Sequence, residues 1–143
     1  MAVTVTNRGM QILGTDNAAT LDLRVAAFTG TVPAAATMRD WNFLSDAIAS
    51  ALVEAAATNY ARQDVTGVAY TENDTADTNE WRGDAMTINS VGAGETWTCV
   101  AWYKFNASDS AADLIAIDEP ASPLVTNGGN VTLPAFVIDV QQQ

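Results

Sequence analysis

The stretch ETWTCVAWYKF, Glu95 to Phe105, decides how the rest of the chain is read. Successive residues of a strand point to opposite faces, and here both faces are apolar. Trp97, Cys99, Ala101, Tyr103 and Phe105 fall on one, Val100 and Trp102 on the other. Such a strand belongs at the centre of a sheet, beneath a helix, or against another subunit. The turn residues Asn106 to Ser110 follow it. Asp113 to Asp118, through Leu114, Ile115, Ala116 and Ile117, then reads as its hairpin partner. Upstream, Leu21 to Phe28 is a clear strand with Leu21, Leu23, Val25 and Ala27 on one face and Asp22, Arg24 and Ala26 on the other, ended by Gly30 and Pro33.

Outward from this centre the chain keeps a β character. Ala2 to Thr6, Tyr60 to Val65, Val68 to Tyr70, Glu80 to Arg82 and Met86 to Ile88 are short strand candidates rich in β-branched and aromatic residues. Asn127-Gly128-Gly129-Asn130 is a tight turn leading to Val131 to Leu133 and Phe136 to Val140, with Pro134 between them marking a bulge or an edge and Gln141 to Gln143 a polar tail. Met10, Ile12 and Leu13, bracketed by Gly9 and Gly14, form an apolar segment of no definite type. Helical spacing is found from Thr37 to Ala57, where Trp41, Leu44, Ile48 and Leu52 recur at three- and four-residue intervals and Ala47, Ala51 and Ala55 widen the stripe. Thr37 or Asp40 can cap its start, and the segment is either one helix or a short helix with a loop, packed on a sheet. The expected fold is mainly β: a small antiparallel β-sandwich or barrel with one α-helical insert, as a single domain over residues 1–143.

Composition narrows the chemistry. With 143 residues, 48% of them hydrophobic, the chain has ample material for a core. Seventeen Asp and Glu against six Lys and Arg give a net charge of −11, which repels phosphate and excludes nucleic-acid binding through the backbone. Anionic membrane surfaces are disfavoured for the same reason, and the longest apolar run, Ala47 to Ala57, is too short and too polar to span a bilayer. No basic stretch followed by an apolar core opens the chain, so synthesis in the cytoplasm is expected. Histidine is absent, which removes the commonest general base and metal ligand and every Ser–His or Cys–His pair. The lone Cys99 permits no intrachain disulfide and sits where a buried small hydrophobe is expected. A non-enzyme without cofactor or metal follows.

Three groupings have the composition of a site. Asp74, Asp77, Glu80 and Asp84 are dense enough to interest Ca²⁺, but their spacing is not that of a calcium loop and they read as a solvated acidic loop. Asp118 and Glu119 are adjacent, so on an extended chain they diverge and read as strand-end solvation. Trp41, Trp81, Trp97 and Trp102 offer a sugar-stacking platform, although core or interface packing explains them with fewer assumptions.

The order of segments carries a resemblance. LDLRVAAFTGTVP (Leu21 to Pro33), MRDWNFLSDAI (Met38 to Ile48) and NYARQDVTGVAYTEND (Asn59 to Asp74), followed by Trp97 to Lys104, Leu114 to Asp118 and Gly128 to Leu133, resemble a family of small tailed-bacteriophage virion structural proteins. These are capsid decoration, minor capsid or tail-associated components. The likeness runs from about Asn7 to Val140 and rests on order and spacing. Ala57-Thr58-Asn59-Tyr60 stands where the family has Gly-x-Gly-Tyr, and Glu119 where it has Gly; the first departure implies helix through Ala49 to Ala57 in place of a loop. The resemblance implies a virion structural protein, and an acidic, DNA-repelling surface suits the outside of a capsid. The expectation is a capsid decoration (cement) protein on the exterior of the mature head, made in the host cytoplasm, with the phage major capsid protein as partner. A tail or baseplate component is the alternative within that class, and a carbohydrate-binding β-sandwich module the alternative outside it. The two-sided apolar strand and the Ala-rich stripe add the expectation of a homotrimer. Val3, Val5, Trp97, Val100 and Trp102 are the candidate oligomer or capsid interface.

Overall fold

In the computed structural model, which describes residues 2–141, strands hold 40% of the chain and helices 14%, so the protein is mainly β. In chain order the elements are β1 (Ala2–Val5), α1 (Asn7–Thr15), β2 (Leu23–Gly30), α2 (Ala35–Arg39), α3 (Leu44–Ile48), β3 (Leu52–Glu54), β4 (Gln63–Asp64), β5 (Ala69–Asn73) and β6 (Thr78–Gly83). There follow β7 (Thr87–Ile88), β8 (Thr96–Trp97), β9 (Cys99–Lys104), β10 (Asp113–Glu119), β11 (Leu124–Val125), β12 (Val131–Thr132) and β13 (Phe136–Gln141). Gln142 and Gln143 of the expected tail lie outside the described residues.

The β9–β10 hairpin forms as expected, with Ile117 opposite Ala101 and Asp118 opposite Val100. It is the middle of a six-stranded antiparallel sheet ordered β1-β10-β9-β2-β3, in which β4 also pairs with β2. Three smaller antiparallel sheets, β11-β8, β12-β7 and β13-β6-β5, contribute to a core against one of its faces. Leu23, Val25, Val100 and Trp102 there share a core with Trp81, Ile88, Leu133, Phe136 and Ile138. On the other face Phe28, Cys99, Tyr103, Leu114 and Ile117 share a second core with Met38, Leu44, Ala47 and Leu52. The central strands β2 and β9 are therefore covered on both sides by their own chain. Burial of this kind, at about 25 cal/mol for each Å² of apolar surface, is what holds such a sheet together.

Several expectations are corrected. The single helical insert is two short helices and a strand. Asp46 Oδ2 accepts from the amides of Asn42 (2.8 Å) and Phe43 (3.0 Å), which starts α3 afresh after the break at Asp40. Ser50 ends it, its hydroxyl donating to the Ala47 carbonyl (2.6 Å) and accepting from Leu52 N (3.1 Å). Leu52 to Glu54 then pair with Phe28 to Gly30, so helix does not run through Ala49 to Ala57. Leu52 still reaches the core shared by Leu44, which is why helical spacing fitted it.

The segment of no definite type, residues 7–15, is helix α1, with Ile12 and Leu13 buried. Thr98 breaks the long strand between β8 and β9; Trp97 thereby joins the core of Val100 and Trp102 instead of that of Cys99. Phe105 lies outside β9, exposed, with the Arg24 guanidinium 3.6 Å over its ring. Of Tyr60 to Val65 only Gln63 and Asp64 are strand. No helix among the described residues is long and apolar enough to cross a membrane.

Candidate functional site

The predicted interface separates into an interior part and a surface part. Trp97, Val100 and Trp102 are 0%, 0% and 1% exposed, enclosed by the chain itself, and cannot meet a partner; they are struck from the interface. The excess apolar surface invoked for a homotrimer lay in this strand and in the Ala-rich stripe. The monomer buries the first, and the second is not one helix, so that ground for a trimer is gone. Trp81 is also buried (2%), its ring edge-on to Tyr70 at 5.3 Å, and Trp41 is half-buried against the second core. A stacking platform needs flat faces open to water. Trp81, Trp97 and Trp102 have none, so the sugar-binding platform is not formed.

Val3 (36% exposed) and the half-buried Val5 remain, on the edge strand β1. Their alternation places both on one side of the sheet, opposite Asp118 and Ala116 of β10. What holds β1 down is the residue after it. Thr6 is fully buried, and its hydroxyl donates to the Leu114 carbonyl (2.6 Å) while accepting from Gly9 N (2.8 Å) as the N-cap of α1. Gly9 lies flat on β10: a Cβ there would overlap the Ile115 carbonyl. Arg8 extends the contact through an ion pair with Asp113 (2.8 Å). The N-terminal strand and helix are thus fastened to β10, and β1 presents its outer side as a sheet edge.

Beneath β1 lies a group read from the sequence as strand-end solvation. Asp118 is 0% exposed, and among the described residues neither of its carboxylate oxygens has a hydrogen-bond partner. Its register partners Val3 and Val100 flank it on the same face with hydrocarbon. Burial without a partner disfavours the charged form and pushes the carboxyl up to about 6. Alternation pointed to this: in LIAID, Ala116 and Asp118 share a face, and β10 keeps that parity past its bulge between Leu114 and Ala116. Glu119, beside it, is exposed.

The four acidic residues weighed for Ca²⁺ are dispersed. Asp74 and Asp77 lie in the turn between β5 and β6, Glu80 pairs with Arg82 (3.3 Å), and Asp84 accepts from the Thr66 hydroxyl (2.8 Å). Among the described residues no group of three or more His, Cys, Asp or Glu is placed to hold a metal ion. Burial pushes the Cys99 thiol up to about 12, so the thiolate a nucleophile needs is suppressed. Comparison with protein-family models, with curated proteins and with solved structures finds no match to this chain.

Proposed function

We propose that this chain is a bacteriophage capsid decoration protein that binds the outer surface of the mature head and stabilises it. The observation that carries this reading is β1, the outermost strand of the six-stranded sheet with Val3 exposed on it, on a domain whose Trp81, Trp97 and Trp102 are spent on its own core. An added strand from the major capsid protein would gain main-chain hydrogen bonds along β1 and an apolar contact at Val3. The net charge of −11 suits a surface turned away from packaged genome. The segment order shared with small tailed-phage virion proteins supports the same class. Stabilisation would follow by linkage, since a protein that binds the assembled lattice and not its free subunits shifts the equilibrium toward the lattice.

The test adds protein to undecorated heads and counts bound copies alongside the heat resistance of the shells. Removing residues 2–6 is a poor probe, because it also strips the Thr6 cap from α1 and uncovers Asp118. Val3→Asn is better, since Val3 is already at the surface and a neutral side chain sets no second charge beside Asp118. Wild-type protein is expected to saturate the heads, and V3N to bind weakly while melting as a folded protein. A Val125→Asn control alters another exposed valine, outside β1, and is expected to bind as wild type. Absence from heads together with co-purification with tails would replace this reading with that of a tail or baseplate component.

A further inference from the structure

Among the described residues, Asp118 holds the only fully buried side-chain oxygens left without a hydrogen bond. A polar group so placed costs stability, and its setting shows what the cost serves. β1, four residues long, pairs with β10 and with no other strand. Val3 of β1 on one side and Val100 of β9 on the other flank the carboxyl. A strand with a single neighbour thus keeps water from a carboxyl that nothing else satisfies.

No described side chain is placed to neutralise it. β1, AVTV, carries no titratable side chain. On the same face of the sheet, Arg8 of α1 pairs with Asp113 (2.8 Å). Glu95, ahead of β8, accepts from Trp97 Nε1 (2.8 Å) and the Ala56 amide (3.0 Å). In the sheet packed opposite, Arg82 is held by Glu80 (3.3 Å) and Asp139 (2.7 Å). Cys99 belongs to the second core, on the other face, and Arg39, Asp40 and Glu119 are exposed. The terminal ammonium of the chain favours the ionised form, and burial outweighs it.

We propose that β1 is a proton-controlled latch, seated on β10 while Asp118 is protonated and opening more often once that proton has passed to water and the carboxylate seeks hydration. The hinge is Thr6, whose amide donates to the Ile115 carbonyl (3.0 Å) and whose hydroxyl donates to that of Leu114 (2.6 Å). Beyond it α1 stays down, because Gly9 rests on the Ile115 carbonyl. Opening withdraws one sheet edge and uncovers another, the backbone of residues 116–119. In the open strand the carboxyl returns from about 6 to its ordinary 3.8. The open population therefore rises about tenfold for each pH unit between those values, about a hundredfold in all, and is level above. Acid seats the strand and neutral pH frees it. The latch is a property of this chain and does not rest on the capsid reading.

The test is amide hydrogen exchange, followed by NMR on the intact chain from pH 4.5 to 8, with each rate referred to its unstructured value. The Thr4 amide, two residues before Thr6 and on the same side of the strand, is expected to lose protection about tenfold per pH unit up to about 6 and none beyond. Thr6 and β9 are expected to exchange more slowly than Thr4 throughout, since opening stops at the hinge. Asp118→Asn cannot titrate and is expected to abolish the slope at Thr4. Val3→Lys, at an exposed position beside the carboxyl, supplies the missing partner; it is expected to flatten the slope and hold β1 down at pH 7. If D118N fails to fold, V3K decides. Thr4 protection independent of pH in the wild type, a slope that survives either substitution, or exchange of Thr4 only together with β9 would overturn the proposal.

Discussion

β9 and β5 are strands of six and five residues at opposite extremes of one molecule. Cys99 to Tyr103 of β9 are buried, while Ala69 to Glu72 of β5 are all exposed. The difference lies in what each sequence offers its two faces. CVAWYK is apolar on both, and each meets a core built by the same chain. AYTEN offers one large ring, Tyr70, and otherwise residues that water satisfies. A strand apolar on both sides must be covered. One apolar on neither can stand at an edge, where charge governs what approaches it.

The largest effect that sharpens this contrast is expected in β9. Trp102→Ala removes a ring that packs edge-on to Phe136 at 5.2 Å, and should cost about 4 kcal/mol in a denaturant titration. Thr71→Ala on β5 should stay within about 0.5 kcal/mol. Comparable losses from the two would break the contrast.

A smaller loss is expected where α1 meets β10. Gly9→Ala drives a Cβ into the Ile115 carbonyl, which no side-chain rotation can relieve, so α1 must lift from the sheet. About 2 kcal/mol is expected, with increased hydrogen exchange along β1 and α1 and little change in β9.

The pH dependence tests the buried edge of the same sheet. Asp118 titrates at about 6 in the folded chain against an ordinary value of 3.8. Below 3.8 both states are protonated and the group contributes no difference. Between there and about 6 the unfolded chain ionises first, so native stability falls as pH rises, by about 3 kcal/mol in all, and is level above. Asp109, held low by hydrogen bonding to Arg62, acts in the opposite sense and is stabilising once ionised. The measurement is therefore the difference between wild type and Asp118→Asn across pH 4 to 7. It should slope through that window and flatten at the top. A flat difference throughout would mean the carboxylate has found a partner.

The smallest effect belongs to the hairpin tip. Asp74→Ser and Asp77→Gly together should change stability by less than about 0.5 kcal/mol, since the turn lies at the surface and Asp77, at φ 56°, takes a conformation glycine adopts freely.

Much of this was legible because it depended on alternation. The hairpin of Glu95–Phe105 with Asp113–Asp118, the strand ending near Gly30 and the mainly β class follow from period-two patterning. The Thr37–Ala57 segment misled because Leu44, Ala47 and Leu52 enter one core from a helix and a strand alike. Only the local bonds of Asp46 and Ser50 separate the two. α1 was hidden because its nine residues bury few apolar side chains and its cap, Thr6, reads equally well as the end of a strand.

The sequence by itself determined the class of fold, the central place of β9 and the burial of Cys99, because these depend on residue type and order. Tertiary structure alone decided that the faces of β9 are covered by this chain and not by a neighbour. It also decided that Trp81, Trp97 and Trp102 are walls of a core, that Asp118 is buried with no hydrogen-bond partner among the described residues, and that β1 and β5 are outer strands of their sheets. The physical reason is the same in each case: a pattern states which side of a strand avoids water, and only the packed chain states what takes the water's place.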